Sequence, residues 1–181
     1  MKLSILIPSM VIRRDMFTRL MYVLHPQLTK EVEILVDVDR GETHLGVKRQ
    51  EMLEKAMGDY VCSIDDDDLV AATYIEDILN AIDQEPDAVG FNGEIKSLKN
   101  NKSCTFKMSM ENSVWSRDKH GNFNRGIQHL SPVRRDIALK VGFSSVGNNE
   151  DQQYSEGINK LLETEVYINK ILYKYLTRYS I

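Results

Sequence analysis

Short apolar runs alternate with helical patterns through the first half of the chain. Runs typical of buried strands lie at residues 3–7, 32–36, 60–64 and 88–91. Between these runs, apolar residues recur at helical spacing. The helices that they predict lie at residues 13–24, at 47–57, and around Ile75, Ile78, Leu79 and Ile82. This order of strands and helices predicts an α/β fold with a mostly parallel, doubly wound sheet.

The pattern changes near residue 92. Two short runs around a turn at Asn100 and Asn101 predict a hairpin, and the polar residues 111–124 predict a flexible loop. The later predicted elements are a helix at 134–141, a loop at 142–149, a helix with Tyr154, Ile158, Leu161 and Leu162 on one face, and strand-like segments at 165–168 and 171–176. No linker or repeat divides the chain, so we predict one domain over residues 1–181.

Composition and charge narrow the classes of protein. With 42% hydrophobic residues the chain can bury a core, and only four prolines and ten glycines argue against disorder. The net charge of −4 disfavours a general coat for nucleic acid, because such proteins carry excess positive charge. Two cysteines do not make a disulfide framework, and no apolar stretch is long enough for a membrane span. These features predict a cytoplasmic protein without a membrane span.

Four consecutive aspartates, Asp65 to Asp68, directly follow the apolar run at residues 60–64. Clustered carboxylates repel one another, and burial beside a strand increases that cost. A divalent cation or a network of hydrogen-bond donors relieves the repulsion, and oxygen ligands suit Mg²⁺ or Mn²⁺. The run therefore predicts a metal site at the carboxyl edge of the sheet, where open α/β folds bind ligands.

Two more loops should reach the same edge, because the parallel strands that precede them end there. They are residues 8–14 and 37–45. Together with the aspartates, they place metal-binding carboxylates beside basic side chains that can meet phosphate. The basic candidates are Arg13, Arg14, Lys48 and Arg49.

Three other interpretations of the aspartate run compete with the metal site. The first is a solvated acidic turn, although the run joins a buried strand to a helix with an apolar face. An EF-hand loop would use Asp65, Asp67 and Glu76, but the next ligand and the glycine that such a loop needs are both replaced. An aspartyl phosphatase would use Asp65 as nucleophile and Asp67 as general acid. That motif usually follows the first strand, which here ends in proline and serine.

Five stretches of the chain form a set in a fixed order. They are residues 3–9 (LSILIPS), 33–39 (EILVDVD), 46–50 (GVKRQ), 56–68 (AMGDYVCSIDDDD) and the pair Glu150 and Asp151. Together they resemble the motifs of family 2 glycosyltransferases, whose pattern has asparagine where Gln50 stands here. The resemblance implies the GT-A fold of nucleotide-diphospho-sugar transferases, with a smaller antiparallel second half. It also implies a nucleotide-sugar-binding half at 1–92 and an acceptor-binding half at 93–181.

The resemblance implies that a sugar moves, with inversion, from a nucleoside-diphosphate sugar to an acceptor hydroxyl. A UDP-sugar is the expected donor, and Mn²⁺ or Mg²⁺ is the expected cofactor. The expected acceptor is a glycan or a hydroxymethylated base in DNA, and the oligomeric state stays open. Two other functions remain possible outcomes, namely a phosphohydrolase that uses the same aspartates and a non-catalytic module that binds nucleotide sugars.

Roles on the donor side follow from the same resemblance. Asp67 would bind the metal with Asp68 beside it, and Asp65 would contact the ribose or the sugar. Either Asp37 or Asp39 would recognise the nucleobase. The other residues expected to bind the nucleotide sugar are Pro8, Ser9, Arg13, Lys48, Arg49 and Asp66.

On the acceptor side, Glu150 and Asp151 open a predicted helix, where the helix dipole alone favours acidic residues. The resemblance assigns Asp151 as the general base and Glu150 as the residue that supports the acceptor or orients the pair. Trp115 is either a stacking platform for the acceptor or an anchor for its loop. His129 either contacts the acceptor or is a structural histidine.

Overall fold

The structure is a computed structural model that describes residues 1–112, 115–119, 121–145 and 149–180. The strands are β1 (Leu3–Met10), β2 (Val32–Asp39), β3 (Tyr60–Ser63), β4 (Leu69–Val70), β5 (Ala88–Ser97), β6 (Ser103–Met108), β7 (Ser116–Arg117), β8 (Phe123–Arg125), β9 (Val133–Arg134) and β10 (Glu165–Thr177). The helices are α1 (Arg14–Leu24), α2 (Leu45–Lys55), α3 (Tyr74–Ile82), α4 (Arg135–Val141) and α5 (Glu150–Ile158). Two short 3₁₀ turns, Val11–Arg13 and His25–Gln27, flank α1.

Within these described ranges the strands belong to one sheet, whose main path runs β2-β1-β3-β9-β5-β6-β8-β7. Strand β1 pairs in parallel with β2 and β3, and β5 pairs in parallel with β10. Strand β9 lies between β3 and β5 and is antiparallel to both. The predicted α/β class with a mostly parallel sheet is confirmed. The antiparallel β9 is a feature that the apolar pattern did not predict.

Helices cover both faces of the sheet, because side chains alternate along each strand. Leu3, Ile5 and Ile7 of β1 pack in one hydrophobic cluster with residues of α1 and α3. Leu6, which points to the other face, packs in a second cluster with residues of α2, α4 and α5. The two clusters give the doubly wound arrangement that the alternating pattern predicts.

The predicted hairpin is present, since β5 and β6 pair antiparallel and Asn101 in the turn has a φ of 56°. The prediction of a loop at 111–124 is wrong at residues 116–117 and 123–124, because β7 and β8 pair with each other and β8 also pairs with β6. The other described residues of the segment belong to neither helix nor strand. Residues 113, 114 and 120 of that segment, and residues 146–148 of the predicted loop at 142–149, lie outside the described residues.

The last two predicted strands are one strand of 13 residues, β10. Its register against β5 shifts between Ile168 and Ile171 and again between Ile171 and Tyr173, so irregular pairing accounts for the broken apolar pattern. Helix α5 ends at Ile158, so Leu161 and Leu162 follow the helix instead of completing its apolar face. In the ranges that the structure describes, none of the helices has the length and apolar character needed to span a membrane.

The start of α2 lies unusually close to the segment before α5. A Cβ atom on Gly46 would lie 1.8 Å from the carbonyl oxygen of Ser144 and 3.3 Å from Cβ of Glu150. Only glycine permits this approach without a shift of the backbone. The contact brings the first turn of α5 to the edge of the sheet where β1, β2 and β3 end.

Candidate active site

The side chains of the four aspartates after β3 differ in burial and in the hydrogen bonds that they accept. Asp66 is buried and fixes the run to the end of β1. Its Oδ2 accepts a hydrogen bond from Ser9 Oγ at 2.7 Å, and its Oδ1 accepts one from Arg13 Nη1 at 2.9 Å. Because both oxygens are paired inside the protein, Asp66 holds the loop in place and orients Ser9 and Arg13.

Asp68 is fully buried and is held by residues of β10. Its Oδ2 accepts a hydrogen bond from Tyr173 Oη at 2.8 Å, and its Oδ1 accepts one from the Leu176 backbone N–H at 2.8 Å. Burial, and then the charge of Asp65, raises the pKa of Asp68 to about 8, although these two hydrogen bonds oppose the shift. Asp68 is 0% exposed and both of its oxygens accept hydrogen bonds, so Asp67 is the more accessible of the two expected metal ligands, and the metal role of Asp68 stays a prediction. Asp68 joins the aspartate run to β10.

Asp65 and Asp67 are the two members that remain partly open to solvent. The side chain of Asp67 is 38% exposed, and its Oδ2 lies 3.3 Å from Arg13 Nη1. Burial raises the pKa of Asp67, the charge of Arg13 opposes this, and the charges of Asp65 and Asp66 add to the upward shift. The side chain of Asp65 is 27% exposed.

Asp65 and Asp67 do not form a complete metal site by themselves. They fit a site in which the substrate and water supply the remaining ligands. Among the described residues there is no group of three or more His, Cys, Asp or Glu side chains that could hold an ion. Mg²⁺ bound with substrate phosphates needs only one or two carboxylates from the protein, since phosphates and water complete its shell. Asp67 can supply such a ligand, because its side chain is 38% exposed and its contact with Arg13 is the longer of the two that this arginine makes, 3.3 Å against 2.9 Å to Asp66.

A pocket of about 180 Å³ lies between the ends of β1 and β2 and the start of α2. The predicted donor-binding residues that line it are Pro8, Ser9, Arg13, Asp39, Lys48 and Asp66. Buried Lys48 donates hydrogen bonds to the Ser9 carbonyl oxygen at 2.7 Å and to Asp39 Oδ1 at 2.5 Å. The hydrogen bond from Lys48 is the main reason that the pKa of Asp39 lies well below its usual range. Asp39 thus belongs to the pocket wall, whereas Asp37 is not among the described residues that line it.

Arg49 joins the aspartate run to α5. Its side chain is 2% exposed, Nη2 donates to Asp65 Oδ1 at 2.7 Å, and Nη1 donates to Glu150 Oε1 at 3.0 Å. Burial would raise the pKa of Asp65, but the charge of Arg49 and then the contact with His129 bring it well below its usual range. One buried guanidinium therefore holds carboxylates from both halves of the chain.

His129 lies beside the same carboxylates without pairing. It is 7% exposed, and neither ring nitrogen has a hydrogen-bond partner among the described residues. Its Nε2 lies 3.8 Å from Asp65 Oδ2, beyond hydrogen-bond range. Burial and then the charge of Arg49 lower the pKa of His129, against the charges of Asp65 and Asp151. His129 therefore offers two ring nitrogens without a partner among the described residues, beside the carboxylate of Asp65.

Asp151 lines a second cleft, of about 630 Å³, together with Trp115. The charge of Asp151 acts on His129 and also on Arg125, a residue that the sequence did not single out. Tyr173 is the other functional neighbour that the sequence missed, since its hydroxyl also accepts a hydrogen bond from the Asp65 backbone N–H at 3.2 Å. No local pattern marks either residue, because both reach the site through pairing between distant strands.

Comparison with known proteins identifies the family. The family model described as "Glycosyl transferase family 2" matches residues 29–137, which is more than half of the chain. The chain belongs to glycosyl transferase family 2. The match includes Asp39, Lys48, Arg49 and the aspartate run. Pro8, Ser9 and Arg13 of the pocket wall precede it, and α5 follows it. The comparison with curated proteins found no match.

Solved structures show that this family member has the GT-A fold. TarS 1–349 from S. aureus in complex with UDP has a TM-score of 0.74 and 16% identity over 98% of this chain. TarS 1–349 with UDP-GlcNAc has a TM-score of 0.69 and 16% identity over the whole chain. Mannosyltransferase PcManGT from Pyrobaculum calidifontis, in complex with GDP-Man and Mn²⁺, has a TM-score of 0.59 and 11% identity over 98%. The chain spans 61%, 60% and 56% of the length of these three structures.

The link between β10 and the aspartate run gives a first testable prediction. Replacing Tyr173 with phenylalanine removes a hydroxyl that donates to Asp68 and accepts from the Asp65 backbone. Because buried polar groups lose their partner, we expect the free energy of unfolding to fall by about 1–3 kcal/mol in a urea titration. Tyr22→Phe is the control, since Tyr22 is 84% exposed and the same change there should have almost no effect. Equal stability of the two variants would contradict the assigned network.

Proposed function

We propose that this family 2 member moves a sugar from a nucleoside-diphosphate sugar, in the first place a UDP-sugar, to an acceptor hydroxyl with inversion. The observation that carries the proposal is the buried bridge in which Arg49 holds both Asp65 and Glu150. This bridge ties the donor-side aspartates to the helix turn that carries Asp151. In this proposal, the donor and the general base would lie on two sides of one reaction centre, and the bridge would hold the two sides together.

The donor would occupy the pocket between β1, β2 and α2, with its diphosphate directed toward the aspartate run. Lys48 and Arg13 supply positive charge there, and Asp39 stands in the wall where a nucleobase would enter. UDP in one TarS structure and GDP-Man with Mn²⁺ in PcManGT support this class of donor. Of the two candidates for base recognition we favour Asp39 over Asp37, because Asp39 lines the pocket.

Asp67 would hold Mn²⁺ or Mg²⁺ together with the donor phosphates, and Asp65 would contact the ribose or the sugar. When bound, such a cation offsets the charge that develops on the departing diphosphate. The protein itself keeps Asp67 available by pairing Asp66 with Ser9 and Arg13.

Asp151 would act as the general base. The acceptor oxygen bonds to the anomeric carbon as its proton passes to the Asp151 carboxylate, and the bond from that carbon to the diphosphate oxygen breaks with its electron pair. Glu150 cannot share this role equally, because its Oε1 accepts a hydrogen bond from buried Arg49. We assign Glu150 to orienting the first turn of α5.

Isothermal titration calorimetry tests the donor and the metal together. We expect UDP to bind the wild-type protein and to bind about tenfold or more tightly when Mn²⁺ is present. Asp67→Asn should remove the gain from Mn²⁺, because it removes the proposed ligand. Asp83→Asn is the matched control, since Asp83 lies at the surface in a pair with Lys2, away from the proposed metal site.

Three results would contradict parts of this proposal. Failure of UDP, GDP and other nucleoside diphosphates to bind, with or without Mn²⁺, would overturn the donor site. Rapid hydrolysis of simple phosphate esters would favour the phosphohydrolase alternative, in which Asp65 is the nucleophile. Nucleotide binding without release of nucleoside diphosphate from any nucleotide sugar would favour a non-catalytic module.

A further inference from the structure

The hairpin of β7 and β8 carries a stack of alternating arginines and aromatic rings. The Arg117 guanidinium carbon lies 4.3 Å from the ring centre of Phe123. The Arg125 guanidinium carbon lies 5.5 Å from the same ring and 4.1 Å from the ring centre of Trp115. Phe106 of β6 adds a third ring at 5.2 Å from Arg125. Such cation–π contacts hold planar groups in register.

Arg125 is the central member of this stack and is bound by rings instead of carboxylates. Its Nε is buried and has no hydrogen-bond partner among the described residues. Burial is also the main reason that its pKa is lowered, against the charges of Tyr175 and Asp151. A guanidinium in this setting serves mainly to fix the rings around it.

Trp115 is the outer member of the stack and faces the second cleft. Arg125 covers one side of its indole ring, yet the side chain is still 49% exposed. The cleft that it lines is bounded on the other side by Asp151, Gln152, Glu156 and Lys160. The cleft therefore has a fixed aromatic plate on one wall and polar groups, including the proposed general base, on the other.

We propose that this cleft binds the acceptor and that the acceptor is a saccharide, an inference that rests on the function proposed above. A pyranose ring has an apolar face that can lie on the open side of Trp115, and its hydroxyl groups can then donate to the carboxylates of Asp151 and Glu156. One hydroxyl placed at Asp151 is the nucleophile, and its proton passes to that carboxylate as the new glycosidic bond forms.

The charges of the cleft disfavour the nucleic-acid acceptor. A base in DNA would also stack on Trp115, but its phosphates would approach the polar wall, where Asp151 and Glu156 outnumber Lys160. Arg125, on the aromatic wall, is engaged with the rings of Trp115 and Phe106. In contrast, DNA-binding proteins neutralise several phosphates with basic side chains. The chain as a whole has a net charge of −4, so it has no excess of positive charge that would offset these carboxylates.

Trp115 is the only tryptophan of the chain, so its fluorescence reports on this cleft alone. We would titrate the wild-type protein, loaded with UDP and Mn²⁺, with methyl glucoside, cellobiose, maltose, lactose and chitobiose. We expect saturable change in emission with at least one of these saccharides. A single-stranded oligonucleotide that contains hydroxymethylcytosine should leave the emission unchanged.

A variant pair connects the binding signal to transfer. With the saccharide that responds as acceptor, Trp115→Ala should raise the acceptor KM about tenfold or more, and Trp115→Phe should raise it less because a flat ring remains. Tyr22→Ala, which removes an aromatic ring that is 84% exposed on α1, is the matched control and should leave the acceptor KM unchanged.

The outcomes separate this inference from the proposed function. If UDP binds but the whole saccharide panel leaves Trp115 emission flat, or if only the oligonucleotide responds, the saccharide assignment is overturned and the donor site stands. An acceptor KM that is unaffected by Trp115→Ala would also overturn it. If UDP does not bind, the proposed function fails, whatever the fluorescence shows.

Discussion

Replacing Asp151 with asparagine should lower kcat for sugar transfer by about 10²–10⁴-fold, the usual contribution of a general base. Asparagine has nearly the same shape as aspartate but cannot accept the proton of the acceptor hydroxyl. Because the proposed donor pocket is formed by β1, β2 and α2, and Asp151 does not line it, we expect the affinity for UDP to be retained. The comparison of kcat with UDP affinity, measured on the same preparation, therefore separates a chemical defect from a binding defect.

A control variant, Asp136→Asn, tests whether Asp151 serves only to stabilise the first turn of its helix. Asp136 lies in the first turn of α4, as Asp151 does in α5, and it pairs with Arg134 at the surface. Both Asp→Asn variants should lose similar small amounts of stability, about 0.3–1 kcal/mol, through the helix dipole. Only the Asp151 variant should lose activity. Equal activity of the two variants would show that Asp151 acts only through the helix dipole and that another group removes the proton.

The sequence alone predicts that the residues of the proposed donor site lie close together. The prediction depends only on the rule that parallel strands end at the same edge of a sheet. The ends of β1, β2 and β3 lie at one edge, since β1 pairs in parallel with both neighbours. That rule places Ser9, Asp39 and the aspartate run together without any knowledge of side-chain direction. The same rule gave the fold class, because strand and helix alternate regularly through the first half.

The distinct roles of the four aspartates could not be predicted in this way. Their chemistry is identical, so their partners alone distinguish them. Asp68 is buried against β10, where Tyr173 and Leu176 offer two donors. Those donors come from the far end of the chain, through pairing with a register that shifts twice. Arg125 escaped notice for a related reason, since its ring partners come together only when β6, β7 and β8 pair.

The Arg49 bridge yields the prediction with the largest effect on stability. Arg49→Met keeps much of the apolar volume but leaves Asp65 and Glu150 without their shared cation in a site where Arg49 is 2% exposed. Removing one partner from a buried ion pair costs about 3–5 kcal/mol, because an uncompensated charge remains. We expect that loss in urea-induced unfolding. Lys55→Met on the same helix removes an exposed pair with Glu51 and should cost less than about 1 kcal/mol.

The variant Arg49→Lys separates the effect of bridging two carboxylates from the effect of the positive charge alone. Lysine restores a cation, but it cannot present two nitrogens to two carboxylates in the fixed geometry of a guanidinium. If the bridge sets the distance between the donor and Asp151, this variant should recover much of the stability and still show a reduced kcat. Full recovery of kcat would mean that the positive charge alone is needed. In that case Arg49 would stabilise the aspartates without aligning the two halves of the reaction centre.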